Sequence, residues 1–174
     1  MKSDQEIFLI DANTLMTPYQ SYYPFDFAPK FWYQLESAVE DGSVVILDMV
    51  KKEVEKGNDL LSEWIKSIRI PNLIDHREKD ILDKYSEVLR YIQTSESYSA
   101  RALQEWSQGD VADAWLIATA LVHGYTIITF EASSHGIDVR NPSSNPKIPD
   151  VCAALHVKCE KLFYMMRTLS FMLE

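Results

Sequence analysis

Three short apolar segments separate longer stretches that have the periodicity of helices, and this alternation limits the folds open to the chain. The apolar segments are residues 7–11 (IFLID), 44–47 (VVIL) and 125–129 (YTIIT). Runs of this length without polar alternation are typical of strands buried on both faces. Strands that alternate with helices form a parallel sheet covered on both sides. We therefore expect an α/β fold, specifically a three-layer α/β/α sandwich with a central, mainly parallel sheet.

Helical periodicity covers most of the chain between these strands. We predict helices at residues 31–39, 49–55, 59–66, 77–93 and 111–123. The last one is expected to end at Gly124, because glycine adopts the left-handed conformation of a helix cap most easily. The length of 174 residues is typical of one compact domain. We therefore predict a single domain over residues 1–174.

An insertion rich in aromatic residues falls at about residues 17–35. Its aromatic side chains include Tyr19, Tyr22, Tyr23, Phe25 and Phe27. Packing against the edge of the core is the interpretation we favour. The alternatives are a groove for a partner protein, since exposed apolar patches mark interaction sites, or a platform for unpaired bases.

The charge of the chain excludes a general electrostatic attraction to polyanions. The formal net charge is −9, so the protein as a whole repels nucleic acids and anionic membranes. A polyanionic substrate must therefore be held locally. One stretch is rich in basic residues, and it is either a binding patch or, as we favour, a solvated helix face. These residues are Lys51, Lys52, Lys56, Lys66 and Arg69.

The sequence also favours a cytoplasmic protein. No apolar stretch reaches the ~20 residues that a membrane-spanning helix needs, and the N-terminus does not resemble a signal peptide. The two cysteines, Cys152 and Cys159, have no partners at metal-ligand spacing, so reduced thiols are expected.

Four acidic residues lie where a parallel sheet would gather them. Asp11 ends the first apolar segment and Glu131 follows the third, and ligands bind beyond the carboxyl ends of parallel strands. Asp113 opens the helix that precedes the third strand. Glu53 is expected on the inner face of its helix, with Val50. Three of these acids also have a purely structural interpretation: a turn residue at Asp11, a buried ion pair at Glu53, and helix capping at Asp113, with Asp110 as the N-cap.

Carboxylates gathered at one sheet edge repel each other, and a hard cation resolves that repulsion. Mg²⁺ and Mn²⁺ prefer oxygen ligands of this kind. Such an ion activates water and neutralises the charge on a phosphate during displacement. The acids therefore predict a metal site for phosphoryl chemistry.

The order and spacing of the acids resemble those of the PIN-domain superfamily. The matching segments are I-D-A-N-T, V-K-K-E, A-D-A-W-L-I-A-T-A-L and I-I-T-F-E. The resemblance implies a divalent-metal endoribonuclease, commonly the toxin of a toxin–antitoxin pair. It implies Asp11, Glu53 and Asp113 as metal ligands and Asn13 as a supporting residue. RNA as substrate, an antitoxin protein and a possible homodimer are the expected partners.

Two features depart from this family. Its fourth acidic position is usually Asp in a T-x-D segment, whereas Glu131 stands here. We still expect Glu131 to be catalytic. The aromatic insertion has no function that the resemblance can supply.

Two other functions remain open. I-D-A-N-T also resembles the strand-end motif of haloacid-dehalogenase phosphatases, which would make Asp11 a nucleophile, but Asn13 replaces the second Asp of that motif. The second alternative is a non-catalytic PIN-like module that binds RNA or protein. The four histidines have no zinc-like spacing, and of these His135 alone is expected near the chemistry. Asp150 is expected either to cap the next helix or to lie at the rim of the site.

Overall fold

The core of the molecule is a parallel sheet. A computed structural model describes residues 5–134 and 138–174. In this part of the chain the sheet has four strands, β1 (Phe8–Ile10), β2 (Val44–Val45), β3 (Thr126–Ile128) and β4 (Cys159–Glu160). Their order is β2-β1-β3-β4, and every pair is parallel. The first three strands are fully buried, as their largely apolar sequences predict.

Helices cover both faces of this sheet, so the three-layer α/β/α sandwich is confirmed. They are α1 (Asn13–Thr17), α2 (Pro29–Asp41), α3 (Asp48–Glu55), α4 (Leu60–Ser67), α5 (Lys79–Thr94), α6 (Ala100–Trp106), α7 (Asp113–His123), α8 (Ile148–Ala154) and α9 (Leu162–Thr168). A π-helical turn, Pro18–Tyr22, follows α1. The central sheet and the helices around it share one cluster of buried apolar side chains.

The end of α7 sets the position of β3. Gly124 has φ 72° and its N–H binds the carbonyl of Ala120, so the predicted left-handed cap is confirmed. The chain then enters β3, which pairs with β1. The N–H of Asp11 donates to the carbonyl of Ile128 at 3.0 Å. The carboxyl ends of these two strands therefore lie side by side.

The start of α7 differs from the prediction. The helix begins at Asp113, and its N-cap is Ala112, with no side-chain capping bond. The N–H of Val111 instead donates to the carbonyl of Gln108 at 3.1 Å, in a turn that precedes the helix. The assignment of Asp110 as the N-cap is therefore wrong. Asp113 is consequently a first-turn residue that is free of a capping role.

Most of the aromatic insertion packs against the core, as favoured. Phe25 stacks on Trp32 at 4.4 Å between ring centroids, and Trp32 meets Trp64 edge-on at 4.9 Å. The Trp32 indole N–H also donates to the carbonyl of Tyr23 at 2.7 Å. Three aromatic side chains of the insertion are exceptions, with 54%, 79% and 69% of their surface exposed: Tyr22, Phe27 and Tyr33.

Candidate functional site

Asp11 is held rigidly at the carboxyl end of β1. It is 7% exposed. One carboxylate oxygen accepts a hydrogen bond from the N–H of Ala12 at 2.7 Å, and the other accepts one from the hydroxyl of Thr129 at 2.8 Å. These donors fix the orientation of the carboxylate without neutralising its charge.

Thr129 connects Asp11 to the next strand end. Its hydroxyl oxygen accepts hydrogen bonds from the Asn13 amide at 3.2 Å and from the N–H of Glu131 at 3.1 Å. The side-chain amide oxygen of Asn13 in turn accepts a hydrogen bond from the N–H of Phe130 at 2.9 Å. Asn13 is therefore linked to Asp11 by hydrogen bonds through Thr129. Thr129 was missed at the sequence level, although it fills the T position of the T-x-D-like segment.

Asp113 lies partly buried at the start of α7. Burial, followed by the charges of Asp11, Glu131 and Glu53, raises its pKa to about 7, and Lys147 offsets this only partly. No side chain or backbone group of the described residues donates a hydrogen bond to its carboxylate. The Asp113 carboxylate therefore lies near other acids and receives no hydrogen bond from the described residues.

The pKa of Asp11 is also raised, to about 6. Burial is the main cause, the Thr129 hydrogen bond opposes it, and the charges of Glu131 and Glu53 add to it. All four predicted acids therefore interact electrostatically. The structure brings Asp11, Asp113, Glu131 and Glu53 into one acidic region at the edge of the sheet.

Glu131 is held by the start of α8. One of its carboxylate oxygens accepts a hydrogen bond from the N–H of Ile148 at 2.8 Å, and the other lies 3.6 Å from the Lys147 ammonium. Its backbone carbonyl binds the Lys161 ammonium. Glu131 thus joins β3 to α8 as well as contributing negative charge to the site.

Glu53 differs most from expectation. Its neighbours Val50 and Val54 are buried, but Glu53 itself is exposed, so the prediction of an inward-facing carboxylate is wrong. It falls at the edge of the buried face of α3. The surrounding protein still raises its pKa, chiefly by desolvation, with Lys56 opposing and Asp110 adding to the rise.

A second cluster, which the sequence did not reveal, can hold a metal ion. Asp48, Asp75 and His76 each offer a ligand atom, and these atoms lie within 4.8 Å of one another. In the described part of the chain, the four predicted acids do not form a group this tight. In this second cluster the His76 Nδ1 is 2.9 and 2.8 Å from the two Asp48 carboxylate oxygens. The Arg77 guanidinium donates hydrogen bonds to both carboxylate oxygens of Asp75.

A signal for Asp48 does exist in the sequence. Asp48 follows the second apolar segment as Asp11 follows the first. Its partner His76, however, is 28 residues away. Spacing rules for metal sites therefore could not find the pair.

The chain matches one protein family along nearly its whole length. The match covers residues 8–173, and the family is described as a Domain of unknown function (DUF4411). The chain belongs to the DUF4411 family. A search of curated proteins found no match.

Two remaining predictions concern the loop that precedes α8 in this DUF4411 protein. His135 lies outside the described residues. Asp150 falls within the first turn of α8, and its side chain accepts a hydrogen bond from the N–H of Ser134 at 2.9 Å. It ties the loop to the helix and is not the N-cap, which is Lys147. In the described residues, no helix is both long and apolar enough to cross a membrane.

Proposed function

We propose that this DUF4411 protein is a divalent-metal-dependent endoribonuclease. Asp11 and Asp113 would hold the ion, with Glu53 and Glu131 at its sides. The supporting observation is that burial and mutual repulsion raise the pKa of Asp11 to about 6 and that of Asp113 to about 7. Buried like charges of this kind are stabilised by a shared cation.

The chemistry of the donor set fits Mg²⁺ or Mn²⁺. Every candidate ligand is a carboxylate, the ligand type that hard divalent ions prefer. Asp113 has no hydrogen-bond donor among the described residues, so its oxygens are available. Glu53, although exposed, needs no burial to act as an outer ligand or to bind a coordinated water.

The residues around these acids would each have a distinct role. Thr129 fixes Asp11, and Asn13 fixes Thr129, at the distances given above. Lys147 places a positive charge near Glu131 and Asp113. When bound, the metal would supply activated water and would neutralise charge on the phosphate. The protein would supply two carboxylates to hold this ion, and hydrogen bonds fix the orientation of the one on Asp11.

RNA is the substrate class that we infer from the resemblance to the PIN-domain superfamily. The same resemblance supports a toxin that acts with a cognate antitoxin. We further propose a cytoplasmic location, from the reduced cysteines that the sequence favours, and a possible homodimer. The acidic residues at the ends of β1 and β3 and at the start of α7 are consistent with the resemblance to this superfamily. The net charge of −9 means that the substrate must be bound by local groups.

A cleavage assay tests the proposal. Single-stranded RNA is incubated with the protein in Mn²⁺, in Mg²⁺ and in a chelator, and the same is done with Asp113→Asn. We expect cleavage that needs the metal and that disappears in the variant. Asp80→Asn, which changes an exposed acid on α5, is the matched control and should keep full activity. Cleavage that persists in chelator, or in Asp113→Asn, would overturn the proposal.

A further inference from the structure

A pocket of about 160 Å³ opens beside the proposed metal site. It shares Glu53 with that site, so a substrate strand bound at the ion would pass next to it. Acidic, basic and apolar groups line it together: Met49, Lys52, Glu53, Lys56, His76, Gly109 and Asp110.

His76 is the most firmly positioned polar group of this pocket. Its Nδ1 lies 2.9 and 2.8 Å from the two oxygens of Asp48, and its backbone N–H donates to Asp48 at 3.2 Å. The imidazole also meets the Trp115 ring edge-on at 4.9 Å. The ring is therefore fixed from two directions, and His76 lines the pocket.

The contact with Asp48 determines which ring nitrogen can bind a ligand. An ionised carboxylate only accepts hydrogen bonds, so Nδ1 carries the hydrogen. In the neutral ring Nε2 is then an acceptor. Within residues 5–134 and 138–174, Nε2 has no hydrogen-bond partner. In the neutral ring, His76 Nε2 is thus an acceptor with a fixed orientation, and a ligand in this pocket can pair with it through a hydrogen-bond donor.

Two lysines next to His76 suit the backbone of a nucleic acid. The Lys52 ammonium lies 3.5 Å from Asp48, and its side chain is 64% exposed. Lys56 lines the same pocket. Contacts of lysine with phosphates position a strand but do not distinguish RNA from DNA. The ribose 2′-hydroxyl does distinguish them, and it can donate a hydrogen bond.

We propose that this pocket binds the ribose of one nucleotide in a single-stranded RNA and that His76 Nε2 accepts a hydrogen bond from its 2′-hydroxyl. Lys52 and Lys56 bind the adjoining phosphates. This inference rests on the proposed function, because RNA is taken as the substrate. It adds the group that selects ribose over deoxyribose.

Binding of fluorescein-labelled 12-nucleotide strands tests the inference. The strands are an RNA, the DNA of the same sequence, and RNAs with one 2′-deoxy nucleotide at each position in turn. They are titrated at pH 8 in Ca²⁺ against the wild type and against His76→Ala, with His123→Ala, a histidine at the far end of α7, as the matched control.

In the wild type, one 2′-deoxy position should weaken binding about three- to tenfold, the value of one hydrogen bond. In His76→Ala the loss at that position should disappear, because the two changes remove the same contact. The Lys52→Gln variant should weaken RNA and DNA binding alike, and His123→Ala should change neither. Equal 2′-deoxy sensitivity in the wild type and in His76→Ala would overturn the inference.

A second measurement does not depend on the stability of the His76 variant. In wild-type protein labelled with ¹⁵N, the His76 Nε2 resonance should shift on adding the RNA but not the DNA. An equal response to both would contradict the inference. Cleavage in Mn²⁺ is measured on the same RNA. If the RNA is cleaved but His76→Ala does not change the 2′-deoxy effect on binding, only the pocket inference fails. If that effect depends on His76 but the RNA is not cleaved, only the catalytic proposal fails. If the wild type neither binds nor cleaves RNA, both fail.

Discussion

Replacing Asp113 by Asn should stabilise the metal-free protein at pH 8. The folded state raises the pKa of Asp113 from 3.8 to about 7, so its ionised form is disfavoured relative to the unfolded chain. Each pKa unit corresponds to about 1.4 kcal/mol, and relaxation of the neighbours reduces the total. We expect the neutral amide to raise the free energy of unfolding by about 2–4 kcal/mol at pH 8. The described residues donate no hydrogen bond to Asp113, so the substitution removes none.

Thermal and urea unfolding in a chelator measure this effect. For a chain of this size, 1 kcal/mol moves Tm by about 2–4 °C, so Asp113→Asn should gain at least about 4 °C at pH 8. Near pH 4 the gain should nearly vanish, because the folded protein then carries a neutral Asp113. Adding Mn²⁺ should raise the Tm of the wild type and should have much less effect on the variant.

Two results would refute this reasoning. One is a metal-free Asp113→Asn protein that is less stable than the wild type at pH 8. The other is an equal gain in Tm from Mn²⁺ in both proteins. Asp80→Asn, tested in parallel, should change neither quantity, because Asp80 is exposed on α5.

Three further outcomes follow from the same contacts. Thr129→Val should lower the free energy of unfolding by about 1–3 kcal/mol in urea titrations, because a buried hydroxyl that donates to Asp11 is lost. The reference is Thr119→Val, which removes a buried hydroxyl that donates to the Trp115 carbonyl within α7; a loss at Thr129 no larger than this one would contradict the prediction. The metal-free wild type should lose stability as pH rises from about 5 to 7, because the folded state holds protons on Asp11 and Asp113 that the unfolded chain releases; urea midpoints that rise over this range would contradict it. Gly124→Ala should cost about 1 kcal/mol because φ is 72°, while RNA cleavage stays unchanged; a gain in Tm would contradict the left-handed cap.

A phosphatase of the haloacid-dehalogenase type would carry a covalent phosphate on Asp11 during turnover, whereas the proposed ribonuclease would not. Both carboxylate oxygens of Asp11 accept hydrogen bonds, and Asn13 occupies the position of the second Asp of the phosphatase motif. We expect no aspartyl-phosphate after incubation with a phosphomonoester, tested by reductive trapping and mass spectrometry. A label on Asp11 would favour the phosphatase.

The sheet could be predicted because three of its strands lie in short, largely apolar segments. β4 could not, since Cys159 and Glu160 form a strand of two half-buried residues without a pattern. α6 has seven residues, too few for its periodicity to stand out. The cap at Gly124 was predictable because few other residues tolerate that φ.

The candidate site was predictable only in part. The positions of Asp11 and Asp113 follow from their places at a strand end and a helix start. Glu53 was misjudged because α3 has eight residues, and in so short a helix the edge and the centre of the buried face look alike. The contacts of Thr129 with Asp11 and of His76 with Asp48 join distant parts of the chain, and no local pattern predicts such pairs.

The most direct test of the metal site is the position of bound Mn²⁺ in crystals, located by its anomalous scattering. We predict a peak coordinated by the carboxylates of Asp11 and Asp113. A peak found only between Asp48, Asp75 and His76, with none at Asp11, would contradict the proposed site.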